Sequence, residues 1–127
     1  MSNVLYVDGD SRRAKELSGH LKKKGHAVKV VSSAERAMLV LDSDAEIDAM
    51  VVSLHLPGTD GAELCQWVRK HPGAGGIRTA AFTACGQPLP DYLRATLSLW
   101  LPVDRFLGET CDVGRLAESL SAMIAGT

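Results

Sequence analysis

The apolar positions of this chain fall into short runs separated by longer amphipathic stretches. Val4 to Val7 is a β-branched and aromatic run. Asp10 then reads as an N-cap, and Ala14, Leu17 and Leu21 recur at helical spacing until Gly25 closes the helix. Ala27 to Val31 is a second strand. Ser32-Ser33-Ala34-Glu35 has the spacing of a capping box and opens a helix with Ala34, Met38 and Leu41 on one face. Ile47 to Val52 is a third strand. Asp60-Gly61-Ala62-Glu63 repeats the box spacing, with Leu64, Trp67 and Val68 facing inward as far as His71-Pro72-Gly73. Ile77 to Phe82 is a fourth strand. Pro88 and Pro90 suit a first helical turn, and Leu93, Leu97 and Trp100 continue that helix to Pro102. Val103 to Leu107 is a fifth strand, and Asp112 leads into a last helix bearing Leu116, Leu120, Met123 and Ile124.

Five strands alternating with five helices predict an α/β fold, a doubly wound parallel sheet with helices on both faces, because parallel neighbours need a crossover. In such sheets the working site lies beyond the carboxyl ends of the strands. Here those ends carry Asp8 with Gly9, Ser53, Thr83 with Ala84, and Glu109.

Composition narrows the reading without directing it. A length of 127 residues predicts one domain, residues 1–127, large enough to bury a core without staples. Hydrophobic residues are 46% and charged residues 23%, which excludes a disordered chain. A net charge of -1 gives no reason to expect nucleic acid or an anionic membrane as partner. Cys65, Cys85 and Cys111 are odd in number and widely spaced, so they suggest neither a disulfide framework nor a metal site. The first strand begins at Asn3, leaving no room for a signal peptide, and no apolar run approaches a membrane span. A cytoplasmic location is expected.

The pieces VLYVDGD at the first strand, DAMVVSLHLPGTDGAEL at the third, AAFTA at the fourth and DRFLGET at the fifth share one order and spacing. Together they resemble the receiver domain of two-component response regulators over nearly the whole chain. The resemblance implies a flavodoxin-like sheet of order 2-1-3-4-5 and a phosphoryl-accepting aspartate. It also exposes departures. The acceptor position, four residues before Pro57-Gly58, is Ser53; the acidic pair after the first strand is Asp8 and Gly9; the lysine position, three after Phe106, is Glu109, followed by Thr110 where proline is expected.

Each departure weakens phosphoryl chemistry. A serine hydroxyl is a poor nucleophile unless a base activates it. Magnesium demands an octahedral set of oxygens, and Asp8 with water and the His55 carbonyl is a thin set, so magnesium binding is expected to be weak or absent. Phosphoryl transfer relies on charge neutralisation. A unit charge about 6 Å from another at an effective dielectric near 20 is worth roughly 3 kcal/mol, so exchanging lysine for Glu109 swings the balance by about twice that. Restoring Gly9→Asp, Ser53→Asp and Glu109→Lys together is expected to recover some magnesium binding. Thr83 and Phe106 keep the family's switch hydroxyl and switch aromatic, although both are ordinary strand residues.

Other residues have plain structural readings beside the tempting ones. His55 and Lys22-Lys23-Lys24 read as solvated groups, the lysines also complementing a helix C-terminus. Ser53 and His55 do not make a nucleophile and base, because no third group orients the histidine. Cys85 reads as a small apolar rim residue. Leu97, Leu99, Trp100 and Leu101 are more apolar than one buried helical face requires and are candidates for a partner surface. The leading expectation is a degenerate receiver: no enzyme, no cofactor, no nucleic acid or membrane contact, and a phosphorylation-independent module that binds signalling proteins. A homodimer through the fourth helix, fifth strand and fifth helix is one form of that contact. The alternatives are phosphotransfer on an unusual acceptor, Ser53 or Asp60, and a small-ligand module reusing the vacant pocket.

Overall fold

The computed structural model describes residues 3–43, 46–56, 61–71, 77–84, 103–110 and 112–126, with backbone alone at 84, 108–110, 125 and 126. Its elements in chain order are β1 (Asn3–Val7), α1 (Ser11–Lys23), β2 (Ala27–Val31), α2 (Ala34–Asp42), β3 (Ala49–Ser53), α3 (Gly61–Lys70), β4 (Arg78–Ala84), β5 (Arg105–Thr110) and α4 (Val113–Gly126). The five strands form one parallel sheet in the order β2-β1-β3-β4-β5. The fourth helix expected from Pro88 to Trp100 lies outside the described residues.

Side-chain alternation along the strands divides the core into two layers. Leu5, Val7, Met50, Val52 and Ala81 meet Ala34, Ala37 and Leu41 of α2 and Leu64, Cys65 and Val68 of α3. Val4, Tyr6, Ala49, Val51, Ala80 and Phe82 face the opposite way, onto Ala14, Leu17 and Leu21 of α1 and Leu116, Leu120 and Ile124 of α4. β3 is buried at all five residues, as a central parallel strand covered on both faces should be. β2, at the end of the sheet, leaves Lys29 and Val30 exposed.

The caps explain where the helices start and stop. The Asp10 carboxylate accepts from the amides of Arg12 and Arg13, at 3.0 and 3.1 Å, and so starts α1. Gly25, at φ +93°, ends it in a conformation that other residues resist, donating its amide to the Lys22 carbonyl. Asp112 caps α4 through the Arg115 amide at 3.1 Å.

Several boundaries differ from expectation. The α2 cap is Ser33, which accepts from Arg36, so the Ser32 to Glu35 box is displaced by one residue and Glu35 lies in the first turn. β3 starts at Ala49, not Ile47. Asp48 turns its carboxylate onto the Asn3 amide at 2.7 Å and joins the β1 and β4 backbones through its own amide and carbonyl. At its other end the strand runs on to Ser53, its last residue, which pairs in register with Phe82 of β4. β4 and β5 likewise extend beyond Phe82 and Leu107, with a register irregularity between Ala81 and Thr83. On α3, Cys65 joins Leu64 and Val68 as a buried residue, while the expected Trp67 is half-buried, packed against the same core layer and against the His71 ring, 4.5 Å between centroids.

Candidate functional site

β1 and β3 are neighbours at the middle of the sheet, so their carboxyl ends bring Asp8 and Ser53 to the same rim. The Asp8 amide donates to the Val31 carbonyl at 3.1 Å, which extends the β1–β2 ladder by one bond and fixes the residue beyond the strand. The residue is 1% exposed, and its carboxylate is fully engaged. Oδ1 accepts from Arg13 Nη2 at 2.7 Å and from the Asp10 amide at 3.0 Å; Oδ2 accepts from Arg13 Nε at 2.7 Å and from the Tyr6 hydroxyl. Two parallel bonds from a planar guanidinium make the bidentate fork for which arginine is suited and lysine is not.

Arg13 reaches this position from the first turn of α1, where Asp10 sets the direction of the helix. Its guanidinium carbon sits 5.7 Å from the centre of the Phe82 ring on β4, so an aromatic face backs the cation. A second carboxylate, Asp10, lies 3.6 Å away. The Asp8 hydrogen bonds, opposed in part by burial, hold the Arg13 guanidinium above its ordinary pKa. Burial, followed by the Asp8 charge and hydrogen bond, pushes the Tyr6 phenol well above its usual value. The amide of Arg13, then the charge of its side chain, holds Asp10 below the usual carboxylate range against slight desolvation.

Ser53 lies at the end of β3 in register with Phe82 and is fully buried. Its hydroxyl has no hydrogen-bond partner among the described residues. Gly61 packs directly beneath: a Cβ there would lie 2.7 Å from the Ser53 carbonyl oxygen and 2.8 Å from Leu54 Cα, and the Gly61 amide donates to the Leu54 carbonyl at 3.2 Å. A glycine opening α3 thus lets the helix close onto the strand end.

No family model matches the chain. It is 32% identical over 126 residues to the sensory/regulatory protein RpfC of Xanthomonas campestris pv. campestris, an overlap of 98% of this chain and 17% of that protein. The signal receiver domain of a signal transduction histidine kinase from Syntrophus aciditrophicus has the same fold, with a TM-score of 0.85 at 23% identity over 100% of this chain and 92% of that one. A putative response regulator from Chloroflexus aurantiacus is similar at a TM-score of 0.81 and 26% identity, over 98% of each chain. This chain is a response-regulator receiver domain. It spans less than half the length of the curated relatives it matches.

The receiver's other rim positions are only partly gathered. Gly9 is exposed beside Asp8. Thr83 is buried at the end of β4 and pairs in register with Glu109 on β5, whose side chain is outside the described set. Phe106 is half-buried and packs toward the α2–α3 layer. His55 and Lys22 to Lys24 are exposed. Asp60, Cys85, Leu97, Leu99, Trp100 and Leu101 lie outside the described residues. No helix among the described residues is long and apolar enough to cross a membrane.

Arg13 and Tyr6 are the site residues that sequence reasoning overlooked. One signal was available. The first turn of α1 carries no acid and instead holds Arg12 and Arg13 at the positive end of the helix dipole, an unfavourable placement unless a carboxylate compensates it.

Proposed function

We propose that this receiver domain acts in two-component signalling as a protein-interaction module whose state is not set by phosphorylation. The observation that carries the reading is the Arg13 fork on Asp8. A cation of the protein's own neutralises the carboxylate that the family resemblance assigns to a divalent metal. The remaining donors do not suit magnesium. Asp8 has both oxygens committed, position 9 supplies no carboxylate, and Ser53 offers a neutral hydroxyl sealed from solvent. The rim performs no chemistry in this reading. Its value lies in holding the strand ends in one arrangement, and the partners are signalling proteins of the two-component class.

A buried serine lacking a base supports the same view of phosphotransfer. Incubation with acetyl phosphate and magnesium, followed by intact mass measurement, tests it. The unmodified mass is expected. A stable phosphoryl adduct, lost in Ser53→Ala or Asp60→Ala, would instead establish an unusual acceptor.

A further inference from the structure

Away from the strand-end rim, the surface around β2 combines features that the phosphoryl question does not touch. A groove of about 720 Å³ runs from Gly9 and Ser11 across β2 to α2. Its lining includes Val30 and Leu39, which are 41% and 71% exposed and are the exposed large hydrophobics among the described residues. Around them stand Lys15 of α1, Lys29 of β2 and Arg36 of α2, all exposed. No described carboxylate forms an ion pair with any of the three. Asp8, the one acid among the described residues that line the groove, is already neutralised by Arg13.

Among the described residues the backbone beneath is equally unspent. β2 pairs with β1 and ends the sheet. In a parallel ladder alternate residues address the same neighbour, and Val31 accepts from Asp8, so Val28 and Val30 turn their amides and carbonyls to the free edge. Side chains alternate as well: Val28 belongs to the α1–α4 layer and Val31 to the α2–α3 layer, which places Val30 on the former side and Lys29 on the latter. A single lysine on an edge strand guards against uncontrolled pairing. Cations on both flanking helices, enclosing exposed aliphatic side chains, go beyond that guarding function.

We infer that the β2 edge is a docking site for an extended acidic segment of a partner protein, which adds to the sheet as a sixth strand. Main-chain bonds to Val28 and Val30 supply the pairing; aliphatic residues of the segment cover Val30, and acidic ones meet Lys29 and Arg36 across the other face. β2 has five residues, so the paired stretch is about 16 Å long. The site is independent of whether Ser53 or Asp60 accepts phosphate, and it survives failure of the preceding proposal.

The test uses the intact chain, isotope-labelled, and a ten-residue peptide alternating valine with glutamate. A peptide alternating valine with lysine is the control. Titration of the acidic peptide should move the amide resonances of residues 28–31 and of Leu39 and Val40, and slow hydrogen exchange at Val28 and Val30. Affinity should fall steeply with added salt. The variant Lys15→Glu/Lys29→Glu/Arg36→Glu, checked for an unchanged melting temperature, should bind at least tenfold more weakly. Unchanged amide resonances at millimolar acidic peptide, shifts confined to other elements, equal binding of the lysine peptide, or equal binding by the variant would each overturn the assignment.

Discussion

Replacing Arg13 with methionine keeps much of the side chain's aliphatic length but removes the guanidinium, and so leaves Asp8 buried without its counter-ion. The structure permits an estimate of the cost. Both Arg13–Asp8 bonds are 2.7 Å, which puts the charge centres about 4 Å apart; at an effective dielectric near 20 the gross attraction is about 4 kcal/mol. The Asp8 side chain is 0% exposed and cannot turn to water, whereas Arg13 is 18% exposed. Removing one member of such a pair typically destabilises by about 3–5 kcal/mol. Native stabilities run to only about 5–15 kcal/mol. For 127 residues each kcal/mol lowers the melting temperature by about 4 °C, so a fall of roughly 12–20 °C is expected. Urea titration and thermal melts of Arg13→Met, Asp8→Asn and the double variant measure it. The double variant should be more stable than Arg13→Met alone, because it removes the stranded charge. A loss below about 1 kcal/mol in Arg13→Met, or additive effects across the cycle, would refute the claim that Arg13 is Asp8's counter-ion.

Three further outcomes follow from other contacts. Gly61→Ala should lose about 1–3 kcal/mol by denaturant titration, since its methyl would press into the Ser53 carbonyl and the Leu54 backbone. Asp10→Ala should lose about 1 kcal/mol through the missing N-cap; because the folded Asp10 pKa is depressed, that contribution is present above the ordinary carboxylate pKa of about 4 and disappears as pH falls through the lower folded value. Tyr6 has the opposite sign. Its folded pKa is raised, so its contribution is complete below the unfolded phenol value of about 10 and falls away at higher pH, a decline that Tyr6→Phe should reduce in alkaline stability measurements.

Much of the fold was legible because the sheet imposes strict periods. Val4 to Val7 and Ala27 to Val31 could be nothing but strands once Leu17 and Leu21 fixed the helix between them, and the core layers followed the alternation. Boundaries were harder where a polar side chain decided them, as Asp48 did for β3 and Ser33 for α2. The rim positions Asp8, Gly9, Ser53 and Thr83 could be located from motif spacing. What replaced the missing chemistry could not be read the same way. Arg13 acts through a side chain that folds back five residues toward Asp8, and Tyr6 through a hydroxyl above its own strand; neither belongs to the pattern that marks the pocket. The β2 groove was hidden for a related reason, since Lys15, Lys29 and Arg36 come from three elements and form no charge run in sequence.

The Arg13 fork also revises the expected effect of restoring the rim. Gly9→Asp, Ser53→Asp and Glu109→Lys would rebuild three receiver positions but leave a guanidinium on Asp8. Calorimetric titration of magnesium into the parent, this triple variant and the same variant with Arg13→Ala tests the central claim most directly. Binding heat is predicted only when Arg13 is also removed, and equally tight magnesium binding by the triple variant with Arg13 in place would contradict it.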